Sequence, residues 1–183
     1  MSELKRELLR KSIHFSGLSY IPAYLYFGKE LLLLGVLIIF IFALTFEFFR
    51  LKYNLVSVIV REYEKGKIGA YIYFGFAILL ITIIFPMEAA FSAVLVTLLG
   101  DGLGGLVKRL PWRRSKDIAT TVMTLAPFFA SLPLLSPVPS LIACVSGATV
   151  ERIQKVGRYY LQDNLTVPIT AALFYHSVNY ILS

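Results

Sequence analysis

The sequence predicts an all-α, polytopic integral membrane protein with about seven transmembrane helices, its N-terminus cytoplasmic and its C-terminus outside. Three observations carry that expectation: an excess of apolar residues, their arrangement in runs of spanning length, and a charge confined to alternate loops. Of the 183 residues, 57% are hydrophobic and 16% charged, whereas a soluble domain averages about 45–50% apolar and about 25% charged. So little charge cannot coat the exterior of a water-soluble core. The length suits one membrane-embedded domain, residues 1–183. Cys144 is the single cysteine, which excludes an internal disulfide and a cysteine-built zinc site.

A transmembrane helix needs about 20 mainly apolar residues, within a range of about 17–25. The first candidate runs from Ile13 to Phe27; the charged stretch Met1 to Lys11 precedes it, and it lacks the small-residue site of a cleavable signal. The second, Leu31 to Phe49, is the most apolar. The third, Ala70 to Phe85, is stopped by Pro86. The fourth, Met87 to Val107, carries Gly100, Asp101, Gly102, Gly104 and Gly105. The fifth runs from Ile118 to Leu135, the sixth from Val138 to Val150, and the seventh from Leu165 to Leu182. The first and sixth are short for a span.

Charge assigns the sides. Lys5, Arg6, Arg10 and Lys11 precede the first span, and Arg50, Lys52, Arg61, Lys65 and Lys67 separate the second from the third. Lys108, Arg109, Arg113, Arg114 and Lys116 lie between the fourth and fifth, and Arg152, Lys155 and Arg158 between the sixth and seventh. Of the 18 Lys and Arg only Lys29 falls in an alternate loop. The positive-inside rule makes the crowded side cytoplasmic. The net charge of +7 is therefore topological, and the expected partners include the bilayer but no nucleic acid.

Ionisable residues inside spans are costly and are read as functional unless a partner explains them. Asp101 lies about 20 Å along its helix from Glu88 and about 10 Å short of Lys108, at 1.5 Å per residue. Glu47 and Arg50 close the second span on one helix face, and Arg10 and His14 share a face at the start of the first. Glu151 and Arg152 end the sixth span at this side, and Asp163 and Asn164 open the seventh. Each has a plainer reading. Glu47 and Arg50 make a helix-end ion pair, Asp163 or Asn164 caps a helix, and His14, His176 and Glu88 sit at an interface. Asp101 resists one, because glycines surround it in an otherwise apolar span; glycine there permits close helix approach or a broken helix lining a cavity.

Acids beside bases at a membrane rim suit phosphate chemistry. Arg50, Lys108, Arg109, Arg113, Arg114 and Lys116 can meet phosphates. Asp101 with Asp163 and Glu151 can hold Mg²⁺, which usually bridges one or two carboxylates to substrate phosphates. Asp101 is the first choice for accepting a hydroxyl proton, with Glu47 and His14 as further catalytic candidates. No G-x-x-x-x-G-K-[ST] loop occurs, which excludes a P-loop nucleotide site.

The ordered set of motifs resembles the CTP-dependent polyprenol kinase family, which includes dolichol and phytol kinases and shares a superfamily with the phosphatidate cytidylyltransferases. Arg10-Lys11-Ser12-Ile13-His14 is similar to the family's opening R-K-x-x-H, and Glu47-Phe48-Phe49-Arg50 to its E-x-x-R. Arg61-Glu62-Tyr63-Glu64 and Gly69-Ala70-Tyr71 resemble the acidic loop before its next span. Gly100-Asp101 with Lys108-Arg109 matches its G-D and basic pair, and Glu151, Asp163-Asn164 and Pro168 its closing E and D-N-x-x-x-P. The resemblance implies transfer of the γ-phosphate of CTP to a membrane isoprenoid alcohol with Mg²⁺, at a cytoplasmic-facing site. It implies nucleotide contacts from Lys116, Arg109, Lys108, Arg50, Arg10, Lys11, Asn164 and Thr120. One element departs from the family: Ser115-Lys116-Asp117-Ile118-Ala119-Thr120-Thr121 keeps the lysine and hydroxyls but lacks the Glu and Gly that accompany them. Two other readings stay open, a cytidylyltransferase acting on a lipid phosphate and a small transporter.

Overall fold

The computed structural model describes residues 11–53, 55, 66–153, 155–156 and 159–183. Their regular structure is helical apart from one antiparallel two-residue pair, β1 (Lys155–Val156) with β2 (Tyr159–Tyr160). The helices are α1 (Lys11–Lys52), α2 (Ala70–Ile84), α3 (Met87–Val107), α4 (Ser115–Ser131), α5 (Pro137–Arg152) and α6 (Asp163–Leu182). Among the described residues α1, α3 and α6 are long and apolar enough to cross a membrane, and α2 is a shorter apolar helix.

The two N-terminal runs join in one 42-residue helix, but Gly28 breaks it. Its φ of 77° and ψ of 174° lie outside helical space, in a region that residues with a Cβ rarely enter. Contacts on either side run in opposite directions along α2. In the first leg His14 stacks near Phe74, and Tyr20 bonds Thr82. In the second leg Lys29 donates to the Ile83 carbonyl, Phe40 meets Phe76, and Phe46 lies near Tyr71. The second leg is also the outermost element, with Leu31, Ile39 and Phe42 exposed by 54%, 70% and 72%. Such side chains suit lipid, which is as apolar as they are.

The remaining boundaries follow local chemistry. α2 stops at Ile84 because Phe85 precedes Pro86 and takes extended backbone. α4 occupies Ser115–Ser131 rather than 118–135. Pro133 has no N–H to carry the hydrogen-bond ladder past Ser131, while Asp117 in the first turn favours an earlier start. Pro137 opens α5 at a position where its missing N–H costs nothing.

The core is built from small side chains. Ala89, Ala90 and Ala93 of α3, Ala143 and Ala148 of α5, and Ala171 and Ala172 of α6 are all buried. A Cβ on Gly147 would stand 2.5 Å from Val96 Cγ1, so the Val96 side chain of α3 packs directly on the backbone of α5. This is how helices associate where lipid removes the hydrophobic drive and leaves close van der Waals contact. Pro127 lies inside α4 and has no N–H to give the Met123 carbonyl. That carbonyl oxygen faces Gly100, where an added Cβ would be 2.9 Å away.

Candidate functional site

Helix direction sorts the polar residues into two ends of the bundle. Lys29, Glu30, Glu88 and His176 lie at one end. Lys11, Glu47, Arg50, Asp101, Lys108, Asp117, Glu151, Arg152 and Asp163 lie at the other. Contacts between sequence-distant residues define this second end: Lys11 with Asp101, Lys108 with Glu151, and Arg152 with Asp117.

The centre of this end is Asp101, on α3. From Leu95 to Asp101 the helix widens into a π-turn, a form that concentrates at functional sites. The first leg of α1 supplies donors to it. His14 Nε2 lies 3.2 Å from the Thr97 carbonyl oxygen, and Lys11 Nζ donates to the Asp101 carbonyl at 3.3 Å. Lys11 Nζ is also 3.7 Å from Asp101 Oδ2, and His14 Nε2 is 3.9 Å from it. A carbonyl only accepts, so His14 Nε2 carries a hydrogen, and in the neutral ring Nδ1 is the basic nitrogen. Phe15 and Phe74 flank the imidazole. The Asp101 side chain keeps 29% of its surface exposed, against 12% for Lys11 and 16% for His14. Asp101 is therefore a reachable carboxylate with two largely covered basic groups behind it. Sequence spacing paired His14 with Arg10, which lies outside the described residues, as does the stretch Arg61-Glu62-Tyr63-Glu64. The partners found for His14 are the Thr97 carbonyl and Asp101, and Lys11, three residues earlier on the same face, reaches the same carboxylate.

Glu47 and Arg50 form a second buried centre, each 4% exposed. Arg50 grips Glu47 through Nε–Oε2 at 2.6 Å and Nη2–Oε1 at 2.7 Å. Gly69 N–H donates to Oε1 at 2.7 Å, and Tyr71 OH to Oε2 at 2.5 Å. Arg50 Nη2 also donates to the Lys67 carbonyl at 2.5 Å. Both carboxylate oxygens hold two donors, so no lone pair is left for a substrate proton. Glu47, expected as a catalytic candidate, here ties the end of α1 to the start of α2, and Arg50 is held in the same clamp.

The carboxylates expected to share a magnesium ion are dispersed. Glu151 is taken by the Lys108 ammonium, and Asp163 Oδ1 accepts the Asn164 N–H at 2.8 Å and its side-chain amide at 3.0 Å. Among the described residues no three His, Cys, Asp or Glu side chains gather as a metal-binding group. Among the described residues Asp101, Asp163 and Glu151 are therefore not gathered as a resident three-carboxylate magnesium site. Lys116 and Arg109 are exposed beside this end of the bundle, and Thr120 Oγ1 bonds back to the Lys116 carbonyl at 3.1 Å. Asp117, beside Lys116, pairs with Arg152 at 2.6 Å.

The chain matches no protein-family profile, no curated protein and no solved structure.

Proposed function

We propose that this chain is a membrane-embedded phosphotransferase that moves the γ-phosphoryl group of CTP to the hydroxyl of an isoprenoid alcohol. In this reading both legs of α1 and helices α2 to α6 all cross the bilayer, seven passages in all. The end that bears Asp101 faces the cytoplasm. The observation that carries the proposal is the Lys11–His14–Asp101 cluster, seated on a widened turn of the central helix at the bundle end where charge collects. An alcohol presents one hydroxyl at such a rim and leaves its tail among lipids. The choice of CTP and of an isoprenoid rests on the motif resemblance.

The alcohol oxygen attacks the γ-phosphorus, and the bond from that phosphorus to the β,γ-bridging oxygen breaks to release CDP. The hydroxyl proton passes to the Asp101 carboxylate and from there to water. Lys11 offers positive charge to the transferring group, the main catalytic need of phosphoryl transfer. Lys116 and Arg109 meet the remaining phosphates. Magnesium enters bound to the nucleotide, as part of the substrate.

The test is purified protein with Mg²⁺, CTP labelled in its γ-phosphate, and a panel of prenols of different lengths. Label in the extracted lipid supports the proposal. Labelled pyrophosphate released with a lipid phosphate as acceptor marks a cytidylyltransferase instead. Solute uptake into vesicles without any nucleotide marks a transporter.

A further inference from the structure

The glycines of α3 differ in what a side chain there would strike. A Cβ on Gly100 would stand 2.9 Å from the Met123 carbonyl oxygen, and one on Gly104 3.2 Å from that of Ala119. Both obstacles are backbone of α4, so these two glycines serve helix packing. A Cβ on Gly102 would press on the Phe15 ring at 2.6 Å. At Gly105 the atoms within 4 Å are Lys11 Nζ at 2.8 Å and Lys11 Cε at 3.4 Å. Among the described residues nothing else stands in the way there, and the obstacle is the tip of a flexible side chain.

We propose that Gly105 is a positioning residue, whose bare Cα forms the seat that holds the Lys11 ammonium against Asp101. A methyl group at 105 takes the place of the ammonium. Lys11 swings out, because its four-carbon stem moves more cheaply than helix backbone, and Asp101 loses its cation at 3.7 Å. The loss of that contact, at a carboxylate still 29% exposed, is offset by the gain of alanine over glycine in a helix. The activity arm of the test rests on the proposed phosphotransfer; the labelling arm does not.

The experiment uses the full chain in detergent. Gly105→Ala is expected to melt at or above the wild-type temperature. Acylation of the Lys11 amine by an amine-reactive ester, read peptide by peptide in a mass spectrometer, is expected to rise several-fold. Prenol phosphorylation is expected to fall by roughly tenfold, a size common for directly coupled pairs, with no further fall when Gly105→Ala is added to Lys11→Ala. Gly35→Ala, which has open space around it, controls for the general effect of replacing a helical glycine and leaves labelling and turnover unchanged. Unaltered Lys11 acylation in Gly105→Ala overturns the inference, and so does an equal loss of turnover with and without Lys11. A wild-type chain that phosphorylates no prenol defeats the proposed function, while acylation still decides the seat.

Discussion

Replacing Arg50 by alanine removes one half of a buried ion pair and strands the other. Glu47 and Arg50 are each 4% exposed, so solvent cannot enter easily to replace the lost partner. Breaking a buried pair in this way costs about 3–5 kcal/mol. The Gly69 N–H and Tyr71 OH still bond the carboxylate at 2.7 and 2.5 Å, which keeps the cost within that range. At about 2–4 °C per kcal/mol for a chain of this size, Arg50→Ala should lower the melting temperature by about 6–20 °C. The assay is thermal unfolding in detergent followed by intrinsic fluorescence, with the Glu47→Met/Arg50→Met double variant alongside. The double variant should recover part of the loss, because it leaves no stranded charge. It should not recover all of it, because the Gly69 and Tyr71 donors then lack an acceptor, at about 1–3 kcal/mol for a buried orphan. An Arg50→Ala protein that melts within about 2 °C of wild type, a shift below 1 kcal/mol, would refute the clamp.

Asp101→Asn keeps the shape of the side chain and removes its charge, so prenol phosphorylation should be abolished while the protein stays folded in detergent; near-normal turnover at saturating magnesium contradicts the assignment. Lys116→Ala should raise the apparent requirement for CTP and leave prenol dependence unchanged, measured by initial rates over a grid of both substrates. A reporter fused after Ser183 should read non-cytoplasmic, and one inserted within Trp112 to Asp117 cytoplasmic, as the charge partition requires.

The helices were legible because each hydrophobic run ends in chemistry visible in the sequence. Met87 to Val107 needed no adjustment, for Pro86 precedes it and a basic stretch follows. The start of α4 was less legible, because Ser115, Lys116 and Asp117 are polar and apolar content does not mark them as helix. The sequence separated the runs Ile13 to Phe27 and Leu31 to Phe49 as two spans, and the Gly28 backbone with the contacts along α2 shows where between them the chain doubles back. At the site, Asp101 stood out by its glycine surroundings. Its partnership with Lys11 and His14 did not, because it depends on a π-turn whose open carbonyls are filled from another helix. Spacing along one helix cannot report such a meeting. The same limit applies to Glu47: its tie to Arg50 is local, but Gly69 and Tyr71 arrive from beyond the intervening loop and decide that it is a clamp.

α3 is divided along its length in a way that links stability to activity. Its first half, with Ala89, Ala90 and Ala93, packs by small side chains in regular α-geometry. Its other half departs from that geometry at Leu95–Asp101 and then carries glycines that admit α4 backbone on one face and the Phe15 and Lys11 side chains on another. A carboxylate placed in an apolar helix is costly unless charge or donors reach it. The side chains that reach Asp101 here come from the first leg of α1, whose own 3₁₀ turn at Gly17–Ser19 lies against the π-turn, with Gly17 on Leu98. A tightened turn and a widened turn thus face each other beside the place where Lys11 and His14 meet Asp101. Substitutions that regularise either turn should therefore stabilise the helices and disable the site together, the trade expected where a local rule of helix geometry is broken for function.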